Sequence, residues 1–427
     1  MKKFLIFFGL IFYFCPAQNL KVNKDRLESS WKELKNFGVN RSTNGNNRIA
    51  FSEYNIEALD YLEKKLNRMG LETNRDAAGN LIALKKGKNN NLKPIAFGSH
   101  IDAVPNGGHY DGQVGVLGAI ECLEVIIENK IITSHPLELI IFSNEEGGVF
   151  GSRAIAGSLT NESLKVITAS GLTNYEGIKK LGGDPNNLLK TKREFQSLHA
   201  FIELHIEQGS ILYDEKIDIG IVEGIVGIRW WDVQIMGFSN HAGTTPMNKR
   251  KDAMLAAAQF ILGVNEIVKS IPGTQVGTVG RIKSFPGVPN VIPGKIILSL
   301  ELRDLNENKL DSIFNLIEND AKKIAKETRT SFSFNSIPIG KSAFTDTIIQ
   351  KIIKDQAVEL NLKTKLMPSG AGHDAQEMIH VAPTGMIFIP SKNGISHSPE
   401  EFSSINDMKN GTQLLLRTIL KIDKIDL

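Results

Sequence analysis

"GSHIDAVPNGGHYDGQVGVLGAIE", residues 98–121, carries His100, Asp102, His109 and Asp111 on a loop broken by glycines. A short apolar run, "PIAFGS", leads into it, and an apolar pattern at helical spacing, "GVLGAIECLEVIIENK", leaves it. An apolar run of that length followed by a longer periodic one reads as strand, loop, helix. Ligands of an open parallel sheet sit at the carboxyl ends of its strands. The loop therefore delivers metal-capable side chains to the edge where an α/β protein does its chemistry.

Outward from this stretch the same unit recurs. "EYNIEALDYLEKKLNRMGL" is an amphipathic helix, "LIALKKG" alternates like a strand, and "LELIIFSNEE" and "AFIELHIEQ" are buried-type strands. Strands alternating with helices predict a mixed, mostly parallel sheet in an α/β layer. The middle of the chain differs. "GIVGIRWWDVQIMGFS" reads as one long strand, "KDAMLAAAQFILGVNEIVKSI" as a helix, and "TVGRIKSF" and "KIILSLELRD" as strands. Leu310, Ile313, Phe314, Ile317, Ala321 and Ile324 mark a second helix, and "TSFSFNSI" closes the segment as a strand. The order β-α-β-β-α-β is the split, ferredoxin-like unit. After Pro338 the α/β style returns, with "FTDTIIQKIIKDQAVEL" as helix and "TGMIFIP" as strand. The predicted organisation is an α/β domain over residues 20–218 and 339–427, interrupted by an α+β domain over 219–338. A length of 427 residues suits two cores rather than one.

Composition narrows the class. Charged residues make up 23% and hydrophobic residues 41%, as in ordinary globular chains. No long basic run and no interleaving of aromatic and basic residues occurs, so nothing points to nucleic acid and none is expected as a partner. The first residues, "MKKFLIFFGLIFYFCPAQNL", join a basic start to an apolar run from Phe4 to Phe14. That run is shorter than the roughly 20 residues of a membrane span. Residues 1–17 are expected to be a cleaved export signal, placing the mature protein outside the cytoplasm with no stable membrane span. Tyr13 and Phe14 are bulky for a lipid-attachment site at Cys15. Cleavage leaves Cys122 alone, so no internal disulfide forms, and its apolar helical setting makes it a core residue.

The chemistry-bearing residues fall at strand ends. His100 ends one strand, Glu145 and Glu146 a second, His205 and then Gln208 a third, and His397 follows "MIFIPSKNGIS". Asp111 stands just before a helix. Taken singly, a strand-end histidine is an ordinary polar residue, Glu-Glu is solvated surface and Asp-Gly is a turn. Together they form an imidazole and carboxylate set of the kind zinc prefers. The set exceeds the three ligands of a single catalytic zinc, and a carboxylate can bridge two ions about 3.5–4 Å apart. Asp111 is the natural bridge. Adjacent glutamates divide the labour: one is a ligand, and the other stays free to take a proton. Asp102 is placed to hold the His100 ring by hydrogen bond. His109, His135, His199 and His380 lack a supporting pattern and read as structural.

These segments, with "SNHAGTTPM", "PNVIPG", "LELRD" and "SGAGHDA", resemble the amidohydrolases that include N-carbamoyl-L-amino-acid hydrolases, allantoate amidohydrolases and β-ureidopropionases. These lie within the wider clan of dinuclear zinc aminoacylases and exopeptidases. The resemblance runs in order through nearly the whole chain after residue 17. It implies two divalent ions per subunit, zinc first, with manganese, cobalt and nickel as alternatives. His100, Asp111 and His205 would hold one ion, and Asp111, Glu146 and His397 the other. Glu145 would be the general base. Arg303 would bind a substrate carboxylate, aided by Asn290, Gln208 and the backbone at Gly372. His241 would polarise the scissile carbonyl from an inserted domain that serves as lid and homodimer interface. The implied substrate is a small carboxylate-bearing ureido or carbamoyl compound, first an N-carbamoyl-L-amino acid. Allantoate is the alternative within the same chemistry. An exported aminoacylase or dipeptidase is set back by Gln208 and by His205, where that branch commonly has a carboxylate. A non-enzymatic binding protein would not need Glu145 beside the ligands.

Overall fold

The computed structural model describes residues 20–338 and 340–427, so the expected export signal lies outside the described residues. Among the described residues, nine strands form the larger sheet. Its centre is Leu137–Phe142, Ile95–His100, Ala200–Ile206 and Thr384–Ile389, in that order and all parallel. Each of these four strands is buried along its whole length, which explains why they read as apolar runs without alternation. Leu81–Lys85 and Glu72–Arg75 continue one edge in antiparallel sense. Ile219–Ile225 continues the other, paired with Thr384–Ile389, Thr364–Ser369 and Ala343–Phe344.

Helix Gln113–Glu128 packs on the central strands, and Ile405–Ile422 packs on that helix and on Thr384–Ile389. Leu117, Ile120, Leu123 and Ile126 are among its fully enclosed side chains. Burying each contributes roughly 1.5–3 kcal/mol, enough to fix the helix whose start carries Asp111. Cys122 is a free thiol in this core. No helix among the described residues is long and apolar enough to cross a membrane.

The second sheet has the order Ile282–Phe285, Lys295–Asp304, Gly227–Met236, Ser331–Pro338, with Val276–Thr278 also on Lys295–Asp304. Numbering the strands of the β-α-β-β-α-β unit, this is the order two-three-one-four. Helices Ala253–Ser270 and Glu307–Thr328 cover one face over Trp231, Val233, Leu298, Leu300 and Leu302. "TVGRIKSF" is thus not one strand but two short ones.

The start of the inserted unit also needs correction. Residues 219–225, read as its beginning, pair inside the larger sheet, and the chain crosses at Val226. The apolar run through 219–236 hides this break, because both strands are needed in cores of similar composition. The outgoing and returning segments lie side by side: Ile228 N donates to Gly340 O at 3.0 Å. A Cβ on Gly224 would stand 2.8 Å from Ala343 O, and one on Gly227 2.9 Å from Ser342 N. These glycines allow the two backbones to approach where the domains join.

Candidate metal centre

The strand ends converge as their sequence positions imply. His100, Asp111 and His205 are all buried, and their donor atoms lie within 4.8 Å of one another. Asp111, Glu146 and His397 form a second such group. Asp111 belongs to both. Its Oδ1 is 3.1 Å from His205 Nε2 and 3.7 Å from His100 Nε2, while Oδ2 is 3.0 Å from His397 Nε2. Gly112 makes this possible in two ways. Its φ of 65° is left-handed, and a Cβ there would fall 2.4 Å from the His100 ring.

The backbone around the site is unusually constrained. Asn144, Val149, Gln208 and His397 all have φ between 49° and 59°. For a β-branched residue such as Val149 that is a true outlier, and such conformations gather where surrounding structure over-determines them. Gln208 Nε2 donates to Asp111 Oδ2 at 2.9 Å, so in this arrangement it touches the carboxylate that the two groups share. His205 Nδ1 is 2.9 Å from Ile206 O, which fixes the ring with Nε2 toward Asp111.

Asp102 acts differently from expectation. The His100 Nδ1 partner is the Asp102 backbone carbonyl at 3.1 Å, and the Asp102 carboxylate is 3.7 Å away. That carboxylate instead accepts from the backbone amides of Glu145 and Glu146, at 3.2 and 3.1 Å. The chain has left the strand by residue 102, so strand alternation no longer decides where the side chain points. Asp102 organises the glutamate turn rather than the imidazole.

Electrostatics follow from packing many carboxylates into a buried edge. Burial pushes the Asp111 carboxyl up, but hydrogen bonds with His205 and His397 outweigh it and hold the group well below the usual carboxylate range. Burial lowers His205, yet Asp111 raises it to about 9. The hydrogen bond to Asp111 likewise brings His397 to about 9. Burial, then Asp374, Glu146, Asp111 and Asp102, push Glu145 well above its ordinary value. Burial and then Asp111 take Glu146 to about 8. This accumulation of anionic groups fits divalent cations, as do the two imidazole and carboxylate sets that share Asp111 and the further buried set Glu203, His205 and His373.

A cavity of about 320 Å³ opens on the centre, lined by Asp111, Glu145, Glu146, His205, Gln208, Arg303, Gly372 and His397. Arg303 reaches it from the inserted domain. Its Nη1 donates to Gly370 O at 2.7 Å, and Glu301 holds its Nε and Nη2 at 2.7 and 3.2 Å. A Cβ on Gly372 would meet only Gln376 Oε1, at 3.6 Å, so that side of the cavity is open. His241 and Asn290 are brought together elsewhere. Asn240–His241 pairs with Val291–Ile292, and Ala242 N donates to Asn290 O at 3.0 Å. His241 is exposed, its Nδ1 accepts from the amides of Gly243 and Thr244, and neither residue lines the cavity.

The histidines set aside behave as structural residues: His109, His135 and His199 each face a backbone carbonyl, and His380 is exposed. Four buried groups were missed. Glu203, His373 and Asp374 lie behind the candidate ligands, with the His373 ring 4.4 Å from that of His205. Glu401 lies beside Asp111. "GHDA" and "HSPEE" held the signal for three of them, since each adds acidic or imidazole groups next to a site residue.

Two trios sharing one carboxylate, gathered from strand ends and the loops beyond them at the carboxyl edge of a parallel sheet and under a ferredoxin-like insertion, define a metal-dependent hydrolase. Residues 96–421 match the model of peptidase family M20/M25/M40. An N-carbamoyl-L-amino acid amidohydrolase of Geobacillus stearothermophilus is 36% identical, over 92% of this chain and 98% of its own. A ureidoglycolate hydrolase of Arabidopsis thaliana is 37% identical, over 95% and 88%. The crystal structure of a hydantoinase/carbamoylase family amidase from Burkholderia multivorans superposes with a TM-score of 0.89 at 30% identity, covering 96% of this chain and all of that one. The chain belongs to the M20/M25/M40 family and is a hydrolase of carbon–nitrogen bonds.

Proposed function

We propose that the protein is an amidohydrolase that cleaves the linear C–N bond of a ureido group on a small carboxylate-bearing molecule, first of all an N-carbamoyl-L-amino acid. The observation that carries this is Arg303 in the same cavity as the two ligand trios. A planar guanidinium suits a carboxylate anchor, and the cavity is of small-molecule size. N-carbamoyl amino acids and ureidoglycolate, named by two relatives, share a ureido nitrogen on a carbon that bears a carboxylate.

His100, Asp111 and His205, and Asp111, Glu146 and His397, would hold two divalent ions, with zinc first and manganese, cobalt or nickel as alternatives. When bound, such ions polarise a carbonyl oxygen and make a water acidic. Arg303 orients the substrate by its carboxylate. Glu145 takes the proton of the attacking water and returns it to the leaving nitrogen. The products are an amino acid, carbon dioxide and ammonia. Protein reconstituted with metal should release ammonia from N-carbamoyl-L-amino acids, and a chelator should abolish it. The same panel includes allantoate, ureidoglycolate and dipeptides. Turnover of dipeptides alone would overturn the ureido assignment.

We further propose a homodimer in which His241 completes a neighbour's site and stabilises the charge developing on the carbonyl oxygen. His241 is exposed and lies away from the cavity of its own chain, which supports this reading. Mixing His241→Ala with Glu145→Gln tests it. Hybrid dimers would contain one site with both residues intact, so activity should reappear as subunits exchange. Inactive hybrids, from folded parents that bind metal, would rule out catalysis across the interface.

A further inference from the structure

Glu401 is 4% exposed, and the mechanism above does not use it. It follows His397 on a tight turn, with Glu401 N donating to Ser398 O at 3.0 Å. Its carboxylate spans two loops 290 residues apart in sequence. Oε1 accepts from the backbone amides of Tyr110 and Asp111, at 2.8 and 3.1 Å. Oε2 accepts from Ser396 Oγ at 2.8 Å. Gly108 makes room for it, since a Cβ there would stand 2.0 Å from Oε1. The neighbouring Phe402 ring packs edge-on against Tyr110, so the two loops are also pressed together by apolar contact.

These contacts converge on the bridge. Asp111 can reach His205 and His397 at once only if its own backbone is fixed and the His397 turn is held at the right distance. A carboxyl group accepting two amides on one side and a hydroxyl on the other does both, and leaving those buried donors without a partner is costly. We propose that Glu401 is a positioning residue for the metal centre, tying the Tyr110–Asp111 backbone to the Ser396–His397 turn so that Asp111 stands between its two imidazoles. This rests on the reading of Asp111 and His397 as metal ligands.

The test is zinc titration of chelator-stripped, full-length protein by calorimetry, with folding followed by circular dichroism. Wild-type protein that takes up no zinc would overturn the metal reading itself before any variant is compared. Glu401→Ala orphans two buried amides and should weaken zinc binding about 10- to 100-fold, as outer-shell changes do. Glu401→Gln keeps an oxygen for both amides and can donate to Ser396, so it should recover most of that loss. Ser396→Ala removes one contact and should weaken binding about fivefold. A merely structural role would lower thermal stability and leave zinc affinity unchanged. Wild-type affinity in folded Glu401→Ala, or in Ser396→Ala if the former does not fold, would overturn the proposal. So would a Glu401→Gln as weak as the alanine variant, because charge rather than position would then be the cause.

Discussion

Glu145→Gln should lower turnover by at least ~10²–10⁴-fold, the usual worth of a general base, while the metal content stays the same. Glutamine keeps the shape of the side chain and its hydrogen bonding but cannot hold a proton taken from water. Glu145 Oε2 is 3.6 Å from His100 Nε2, and the residue lines the cavity that holds Arg303. Its backbone amide is fixed by Asp102, so the side chain starts from a defined point. Burial and four neighbouring carboxyls raise its affinity for a proton, which is the property a base needs. Cations among those carboxylates would oppose the shift and bring it back toward the working range. The measurement is ammonia release at saturating substrate, paired with elemental analysis of the same sample. Near-normal turnover would remove Glu145 from the chemistry and return attention to Glu146, whose Oε2 is 3.5 Å from His397 Nε2.

The candidate ligands were legible because position along a strand decides which edge a residue reaches. His100, Glu145, Glu146 and His205 close parallel strands or the turns just after them, so one sheet edge gathers them whatever the loops do. What lay off the strands was less legible. Asp102 follows the end of its strand, and its carboxylate turned to the glutamate amides instead of the imidazole. Glu401 becomes meaningful only when the carboxyl-terminal part of the chain folds back on the loop at 108–111, a contact no local pattern encodes. The same holds for the domain boundary. The strands on either side of Val226 are both apolar, and only pairing partners distant in sequence assign them to different sheets. Thr364–Ser369 escaped for a related reason: "TKLMPS" has neither apolar continuity nor clean alternation, and it is held by Ile219–Ile225. Arg303 shows the opposite case. Its strand was clear, but its arrival in a cavity of the other domain depends on how the insertion folds over the sheet.

Asp111 tests the centre of this account most directly. Among the described residues it is the one carboxylate within reach of the His100, His205 and His397 imidazoles, and it belongs to two of the groups that could hold an ion. If two ions share it, its loss cannot be confined to one of them. The decisive measurement is the number and affinity of divalent ions bound by wild-type and Asp111→Ala proteins after stripping and reconstitution with zinc, with Asp111→Asn as an isosteric control. We expect two ions in the wild-type chain, and loss of tight binding at both positions in a folded alanine variant with no measurable hydrolysis. An alanine variant that still held two ions at wild-type affinity would contradict the shared bridge, and with it the mechanism built on it.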